Sequence, residues 1–354
     1  MPERKIMTTN KYLPGITRDE LKTIMKELGE PSYRANQIAE HIYRHRVTDP
    51  DKMSNLPQNL RGKLKEIFLP FPVAVEECIA AGDQTQKLLL KLHDGNRIEM
   101  VMIPTAERMT FCLSTQAGCP VGCRFCASGA AGLARNLSAA EILAELFAGA
   151  EIHGSWPDNI VFMGIGEGLL NTGNLFHALE IITGHDYIGM APRRITVSTS
   201  GIVPGIYKLA ELGKEFTLAL SLHAVNDEIR STIIPDKLRY PIAEILQATD
   251  FYRNTAGRMV TFEYTLLAGV NDSPQDAETL ARLANKHHAK INLIAYNPTS
   301  DKFKRPTDKV IEQFLHKAES ICRNVTLRRE RGGGKKAACG QLRLGKIQND
   351  GNLS

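Results

Sequence analysis

A chain of 354 residues, 43% hydrophobic and 23% charged, has the balance of a globular protein and room for one large domain plus a small one. No apolar run approaches the ~20 residues of a membrane-spanning helix, and Met1-Pro-Glu-Arg-Lys leads into no apolar signal core, so a cytoplasmic protein is expected. The net charge of +5 permits a polyanionic partner without demanding one, and seven cysteines suit a reducing compartment.

Residues 1–72 read as a helical module. Thr17-Arg-Asp-Glu20 is a capping box, followed by Leu21, Ile24, Met25 and Leu28 at helical spacing and by Gly29 as a stop. Ser32 is placed to cap a second helix carrying Ile38, Ala39 and Ile42, and a third runs through Leu60, Leu64, Ile67 and Phe68. Arg34, Arg44, His45, Arg46, Arg61, Lys63 and Lys65 decorate these helices. They form either a solvated face or a nucleic-acid contact, and the solvated face is the default.

Residues 73–108 read as a β-hairpin extension, since Leu88, Leu90, Leu92 and Ile98, Met100, Met102 alternate on either side of the turn signal Asp94-Gly95. From the alternation alone, the default reading of Glu99 is a solvent-facing strand carboxylate. A strand at Met109–Ser114 follows, and then strands near 159–163, 194–199, 216–222, 259–266, 290–296 and 325–329. Helical patterns lie between them, among them Ser138–Ile152 (opened by the capping box Ser138-Ala-Ala-Glu141), Ile242–Arg253 and Pro274–His288. This alternation predicts an α/β fold with a parallel sheet, a partial (β/α)6 barrel over residues 109–330, with its chemistry at the carboxyl ends of the strands. Residues 331–354 form a C-terminal segment.

The run Cys119-Pro-Val-Gly-Cys123-Arg-Phe-Cys126 is a C-x3-C-x2-C ligand set. A cubane iron–sulfur cluster has four irons and usually takes four cysteines, so three leave one iron open to a small molecule. The alternative is zinc with a fourth ligand elsewhere, but structural zinc favours paired C-x2–4-C units and no second pair is present. Polar motifs end the following strands: Gly166-Glu167-Gly168, Ser198-Thr-Ser-Gly201, Ser221-Leu222-His223 and Tyr296-Asn297-Pro298. Each alone is weak, and a lone His223 is more often packed than functional. Together, downstream of the cysteines, they suggest a cofactor pocket. Cys78 and Cys322 read as buried, inert thiols. Cys339 does not: it lies between Gly332-Gly-Gly334 and Gly340, with Arg328, Arg329, Arg331, Lys335 and Lys336 nearby to favour thiolate.

The C-x3-C-x2-C run followed by Gly-x-Gly-Glu resembles the radical S-adenosylmethionine (SAM) superfamily. That resemblance implies a [4Fe–4S] cluster whose open iron is chelated by SAM, and cleavage of SAM to a 5′-deoxyadenosyl radical. Adding Phe111-Cys-Leu-Ser-Thr-Gln-Ala-Gly-Cys119, Arg194-Ile-Thr-Val-Ser-Thr-Ser-Gly201, Asn292-Leu-Ile-Ala-Tyr-Asn297 and Ala337-Ala-Cys-Gly-Gln-Leu342, the chain closely resembles the RlmN/Cfr family of radical-SAM RNA methylases over nearly its whole length.

Members methylate a ring carbon of adenosine, typically in 23S rRNA and in some cases tRNA. The resemblance implies that Cys339 takes a methyl from one SAM and that a radical from a second SAM activates it. The resulting thiomethylene radical adds to adenine, Glu99 accepts the ring proton, and Cys112 forms a disulfide with Cys339 to expel the product. It further implies that Cys119, Cys123 and Cys126 hold the cluster, and that Gly166, Glu167, Ser198, Ser221, Leu222, His223 and Asn297 line the SAM site. An electron donor such as flavodoxin or ferredoxin, no membrane contact and a monomeric state complete the expectation.

Eight Lys or Arg against one acid between Arg323 and Lys346, and the stretch Lys302, Lys304, Arg305, are candidates to guide an RNA backbone. The chain departs from the family at Gly168, where many relatives have proline, and at Gly332–Lys336, where relatives are rich in Asp and Ile. These departures bear on the target RNA and on C2 against C8, with C2 the default.

Overall fold

The computed structural model describes residues 11–130, 132–299 and 302–328. Its N-terminal module is three helices, α1 (Arg18–Glu27), α2 (Tyr33–Tyr43) and α3 (Gln58–Ile67). The predicted capping box opens α1: the Glu20 N–H donates to Thr17 Oγ1 at 3.2 Å and the Thr17 N–H donates to the Glu20 carboxylate at 2.8 Å. Gly29, at φ +72°, stops it in the left-handed region that favours glycine.

Leu21, Met25, Ile38, Ile42, Leu60 and Leu64 are fully buried, in a core continuous with that of the remaining chain. Ser32 departs from expectation. Its backbone is already helical (φ −58°, ψ −29°), so its hydroxyl makes no cap bond. Several of the basic residues are engaged at home: Lys63 meets Glu30 at 3.4 Å, Lys65 meets Asp51 at 2.7 Å, and Arg34, Arg46 and Arg61 donate to backbone carbonyls.

Three antiparallel strands follow, β1 (Val73–Ala80), β2 (Gln86–Leu92) and β3 (Arg97–Pro104). The hairpin β2–β3 turns at Asp94-Gly95, with Gly95 at φ +83°. β3 then pairs antiparallel with β4 (Met109–Cys112). A two-stranded ribbon, β5 (Gln116–Gly118) and β6 (Leu133–Asn136), brackets the cysteine loop and the short helix α4 (Ala127–Ala130).

From there strands and helices alternate: α5 (Ala139–His153), β7 (Asn159–Phe162), α6 (Thr172–Thr183), β8 (Ile195–Thr199), α7 (Val203–Glu211), β9 (Thr217–Ser221), α8 (Asp227–Ile233), α9 (Ile242–Ala256), β10 (Thr261–Leu266), α10 (Pro274–Lys286), β11 (Lys290–Ala295), α11 (Asp308–Glu319) and β12 (Val325–Arg328). The sheet order is β1-β2-β3-β4-β7-β8-β9-β10-β11-β12. From β4 onward every neighbour is parallel, giving seven strands joined by six helical crossovers, the predicted partial barrel.

The strand pleat divides the barrel chemically. Phe262, Tyr264 and Leu266 of β10 are fully buried in the apolar core, whereas the alternate residues Glu263 and Thr265 line a cavity on the other face. Two expectations are corrected here. Cys78 is exposed, because β1 is the edge strand and most of its residues are open to solvent; Cys322 is buried as expected. Glu99 does not face solvent. It is 3% exposed, because β3 lies between β2 and β4 and both of its faces are covered. Among the described residues, no helix is long and apolar enough to cross a membrane.

Candidate active site

Cys119, Cys123 and Cys126 lie in the loop between β5 and α4. The loop is tied down at both ends: the Cys119 N–H donates to the Gly132 carbonyl at 2.9 Å and the Cys126 N–H to the Cys123 carbonyl at 3.0 Å. Its middle is pinned to α8 by the Arg124 N–H on the Ile233 carbonyl at 2.9 Å. Helix α4 packs so closely that a Cβ on Gly129 would sit 2.9 Å from the Cys123 nitrogen.

All three cysteines line one cavity of about 150 Å³. Burial pushes the Cys119 thiol up to about 12, and the Glu167 and Cys126 charges push the same way; burial raises Cys123 well above the ordinary thiol value as well. Such thiols give up their protons only to a strongly positive centre, which a metal cluster supplies. Among the described residues no three His, Cys, Asp or Glu side chains are close enough to hold a single ion. A cluster instead spreads three thiolates over separate irons, and the donor set fits one.

The far wall of the cavity is built from strand ends. Gly166, beyond β7, has φ +113°, and a Cβ there would lie 2.7 Å from the Gln116 Cβ, so only glycine fits the approach of this turn to the cysteine-bearing segment. Glu167 follows. Its Oε2 accepts the Ser200 N–H at 2.6 Å and its Oε1 the Leu169 N–H at 3.2 Å, while its own N–H donates to Gln116 Oε1 at 2.8 Å. Burial raises the Glu167 pKa, and the bonds from Ser200, Thr199 and Leu169 oppose that shift.

Ser198, Ser221, His223 and Asn297 line the same cavity. His223 sits at φ +55°, turned by the end of β9 so that its ring edge meets Phe125, with centroids 4.9 Å apart. Its Nδ1 accepts the Thr265 N–H at 3.1 Å, which leaves the proton on Nε2. Burial, with help from Arg230, lowers its pKa to about 3, so the imidazole is neutral. Leu222 is not on the cavity wall. Its side chain is fully buried in the apolar core, and its N–H donates to the Glu263 carbonyl at 3.1 Å.

Sequence reasoning did not assign three polar residues to this site, although it named Arg328 as a cation near Cys339. Glu263 lines the cavity between Ser221 and Asn292, its register partners on β9 and β11, and takes a 2.7 Å bond from the Asn292 side chain. Arg328, at the end of β12, lines it too. Arg230 of α8 is fully buried and donates to the carbonyls of Ser200, Leu222 and Tyr240, locking together the loops that carry the strand-end motifs. A signal existed only for Glu263, in the polar–apolar alternation Thr261-Phe-Glu263-Tyr-Thr265.

Cys112 and Glu99 lie beside this cavity rather than on its wall. Cys112 is 8% exposed and packs with Val101, its register partner on β3, and with Ile165 and Met163, the last of which does line the cavity. Glu99, two residues before Val101, therefore shares that strand face, near the carboxyl end of β4, where Ser114 Oγ donates to the Glu99 carbonyl at 2.8 Å. Cys339, Gly332–Lys336 and the basic residues after Arg328 lie outside the described residues.

The family model described as "Radical SAM superfamily" matches residues 113–284, and the one described as "Ribosomal RNA large subunit methyltransferase N-terminal domain" matches residues 11–69. A Clostridium perfringens protein named "Probable dual-specificity RNA methyltransferase RlmN" is 43% identical over 343 residues, 96% of this chain and 99% of its own length. An Akkermansia muciniphila protein of the same name is 41% identical over 341 residues, covering 94% of this chain and 95% of its own. The crystal structure of a radical SAM methyltransferase from Sphaerobacter thermophilus matches with a TM-score of 0.90 and 40% identity, covering 94% of this chain and 99% of that one. With likeness at this level over both the helical module and the barrel, the protein is an enzyme and belongs to the RlmN/Cfr family of radical-SAM RNA methyltransferases.

Proposed function

We propose that this enzyme methylates C2 of an adenosine in 23S rRNA, and also in tRNA, through a methyl-carrying cysteine. One observation carries the reading: the three cluster-type thiols and the polar strand ends line a single cavity, and the β3–β4 face bearing Cys112 and Glu99 packs against its Met163 wall. The relatives' printed name, a dual-specificity RNA methyltransferase, supports two classes of RNA.

An amidine carbon of adenine is no nucleophile, so it cannot take a methyl from SAM by displacement. A cluster and SAM, when bound, supply a radical able to activate a methyl group. Cys119, Cys123 and Cys126 would hold the cluster. Gly166, Glu167, Ser198, Ser221, Leu222 through its backbone, His223 and Asn297 would hold SAM. A neutral His223 could offer its Nε2–H to SAM without adding a cation to the cavity. Cys339 would carry the methyl carbon to the adenine, Glu99 would accept the ring proton, and Cys112 would release the product by pairing with Cys339.

The test is mass spectrometry of nucleosides from rRNA and tRNA of cells with and without the gene. Loss of 2-methyladenosine from both RNAs is the expected result. Loss of 8-methyladenosine from 23S rRNA would replace C2 by C8, and unchanged nucleosides in both RNAs would overturn the proposal.

A further inference from the structure

Lys87 of β2 and Glu99 of β3 form an ion pair with Nζ 3.0 Å from Oε1, and each side chain is only 4% exposed. Both residues lie on interior strands of the sheet, and replacing a buried ion pair by apolar side chains of similar volume is often neutral or stabilising. A buried carboxylate and a buried ammonium each carry a desolvation penalty that their mutual attraction offsets only in part. The pair is thus a poor stabilising device, and its place suggests another use.

Lys87 is the register partner of Val101, which is in turn the partner of Cys112. Glu99 lies two residues from Val101 on the same face. The lysine therefore presents its ammonium to a buried carboxylate on the strand face shared with Cys112.

We propose that Lys87 is the positioning residue for Glu99: by holding Oε1 at 3.0 Å it fixes the carboxylate on the strand face shared with Cys112, in the orientation from which Glu99 accepts the ring proton. The proposal rests on Glu99 acting as the base, as set out above. It assigns Lys87 no contact with RNA, SAM or the reacting atoms. What it adds is the reason the Glu99 side chain keeps one place on this strand face: an ammonium from the neighbouring strand is bonded to it, and both groups are shut away from water.

The test compares Glu99→Gln, Lys87→Met and Lys87→Arg in the full-length, anaerobically reconstituted enzyme with RNA substrate. Methylated RNA and the covalent protein–RNA adduct are measured together, the adduct on a denaturing gel. A base that fails after the methylene carbon has joined the ring leaves the adduct in place, an outcome that mere loosening of the fold does not produce. Lys87→Met is expected to lower turnover about a hundredfold or more and to accumulate adduct as Glu99→Gln does. Lys87→Arg, which keeps the cation, is expected to recover most of the turnover and to clear the adduct.

Blocked turnover in Glu99→Gln with normal turnover and no adduct in Lys87→Met would overturn the role of Lys87 alone. Normal turnover in Glu99→Gln would overturn the base assignment and the proposal with it. If Lys87→Met fails to fold, Lys87→Gln, which keeps a donor without the charge, takes its place with the same two outcomes.

Discussion

Glu167, beyond the end of β7, accepts the backbone N–H of Ser200, beyond the end of β8, at 2.6 Å. One carboxylate thus ties two strand-end loops together while forming part of the cavity wall. Glu167→Ala would leave the buried N–H groups of Ser200 and Leu169 without their acceptor, and each such loss costs about 1–3 kcal/mol. The expected result in urea unfolding is a loss of about 2–6 kcal/mol for Glu167→Ala and a smaller loss for Glu167→Gln, which keeps one acceptor oxygen. Both variants are expected to bind SAM more weakly in equilibrium dialysis. Unchanged stability in Glu167→Ala would mean that water or a neighbouring side chain replaces the carboxylate.

The cysteine loop carries the second prediction. Anaerobically reconstituted protein is expected to hold about four irons and four sulfides per chain. Replacing Cys119, Cys123 or Cys126 singly by Ala is expected to remove the cluster, because these three thiols are the only cysteines that line the cavity among the described residues and leave no spare ligand in the loop. Iron and sulfide assays beside zinc analysis check this. Stoichiometric zinc without sulfide would restore the structural-zinc alternative.

What was legible in the sequence was local. The caps at Thr17 and Ser138, the turn at Asp94-Gly95 and the strand–helix alternation each rest on residues a few positions apart, and each forms as its pattern predicts. The cysteine loop and Glu167 were legible as motifs. Arg230 was not, because its three carbonyl partners come from separate loops at Ser200, Leu222 and Tyr240. Glu99 was misread for a related reason. Alternation within one strand cannot tell that a neighbouring strand supplies a lysine to a buried carboxylate. Cys78 errs the other way, since nothing in its own sequence marks β1 as the sheet edge.

Glu263 gives the third prediction. Burial raises its pKa from 4.5 to about 7, against the pull of the Asn292 hydrogen bond and the Arg328 charge. A folded-state pKa above the unfolded one means that its stabilising contribution is full below pH 4.5 and is lost as pH rises through 7. The wild-type protein is therefore expected to lose about 3 kcal/mol more than Glu263→Gln between pH 4.5 and pH 8. Urea unfolding of both proteins across that range measures the difference. Parallel curves would show that Glu263 stays ionised in the fold, held by Arg328.

The fourth prediction separates the two cysteines outside the cluster loop. Cys112 is buried on β4 against Val101 and Ile165, so an alanine there removes a thiol but leaves a strand that packs. If Cys339 carries the methyl carbon, Cys339→Ala forms neither product nor adduct, because the carbon never becomes attached to the protein. If Cys112 releases the product, Cys112→Ala forms the adduct and stops there, in a near one-to-one ratio of enzyme to RNA. Gel analysis of the two variants, with intact-mass measurement of the protein for a methyl group on Cys339, distinguishes the roles. Full turnover by Cys339→Ala would end the covalent mechanism. An adduct in neither variant would leave Cys339 as the methyl carrier but remove Cys112 from the release step.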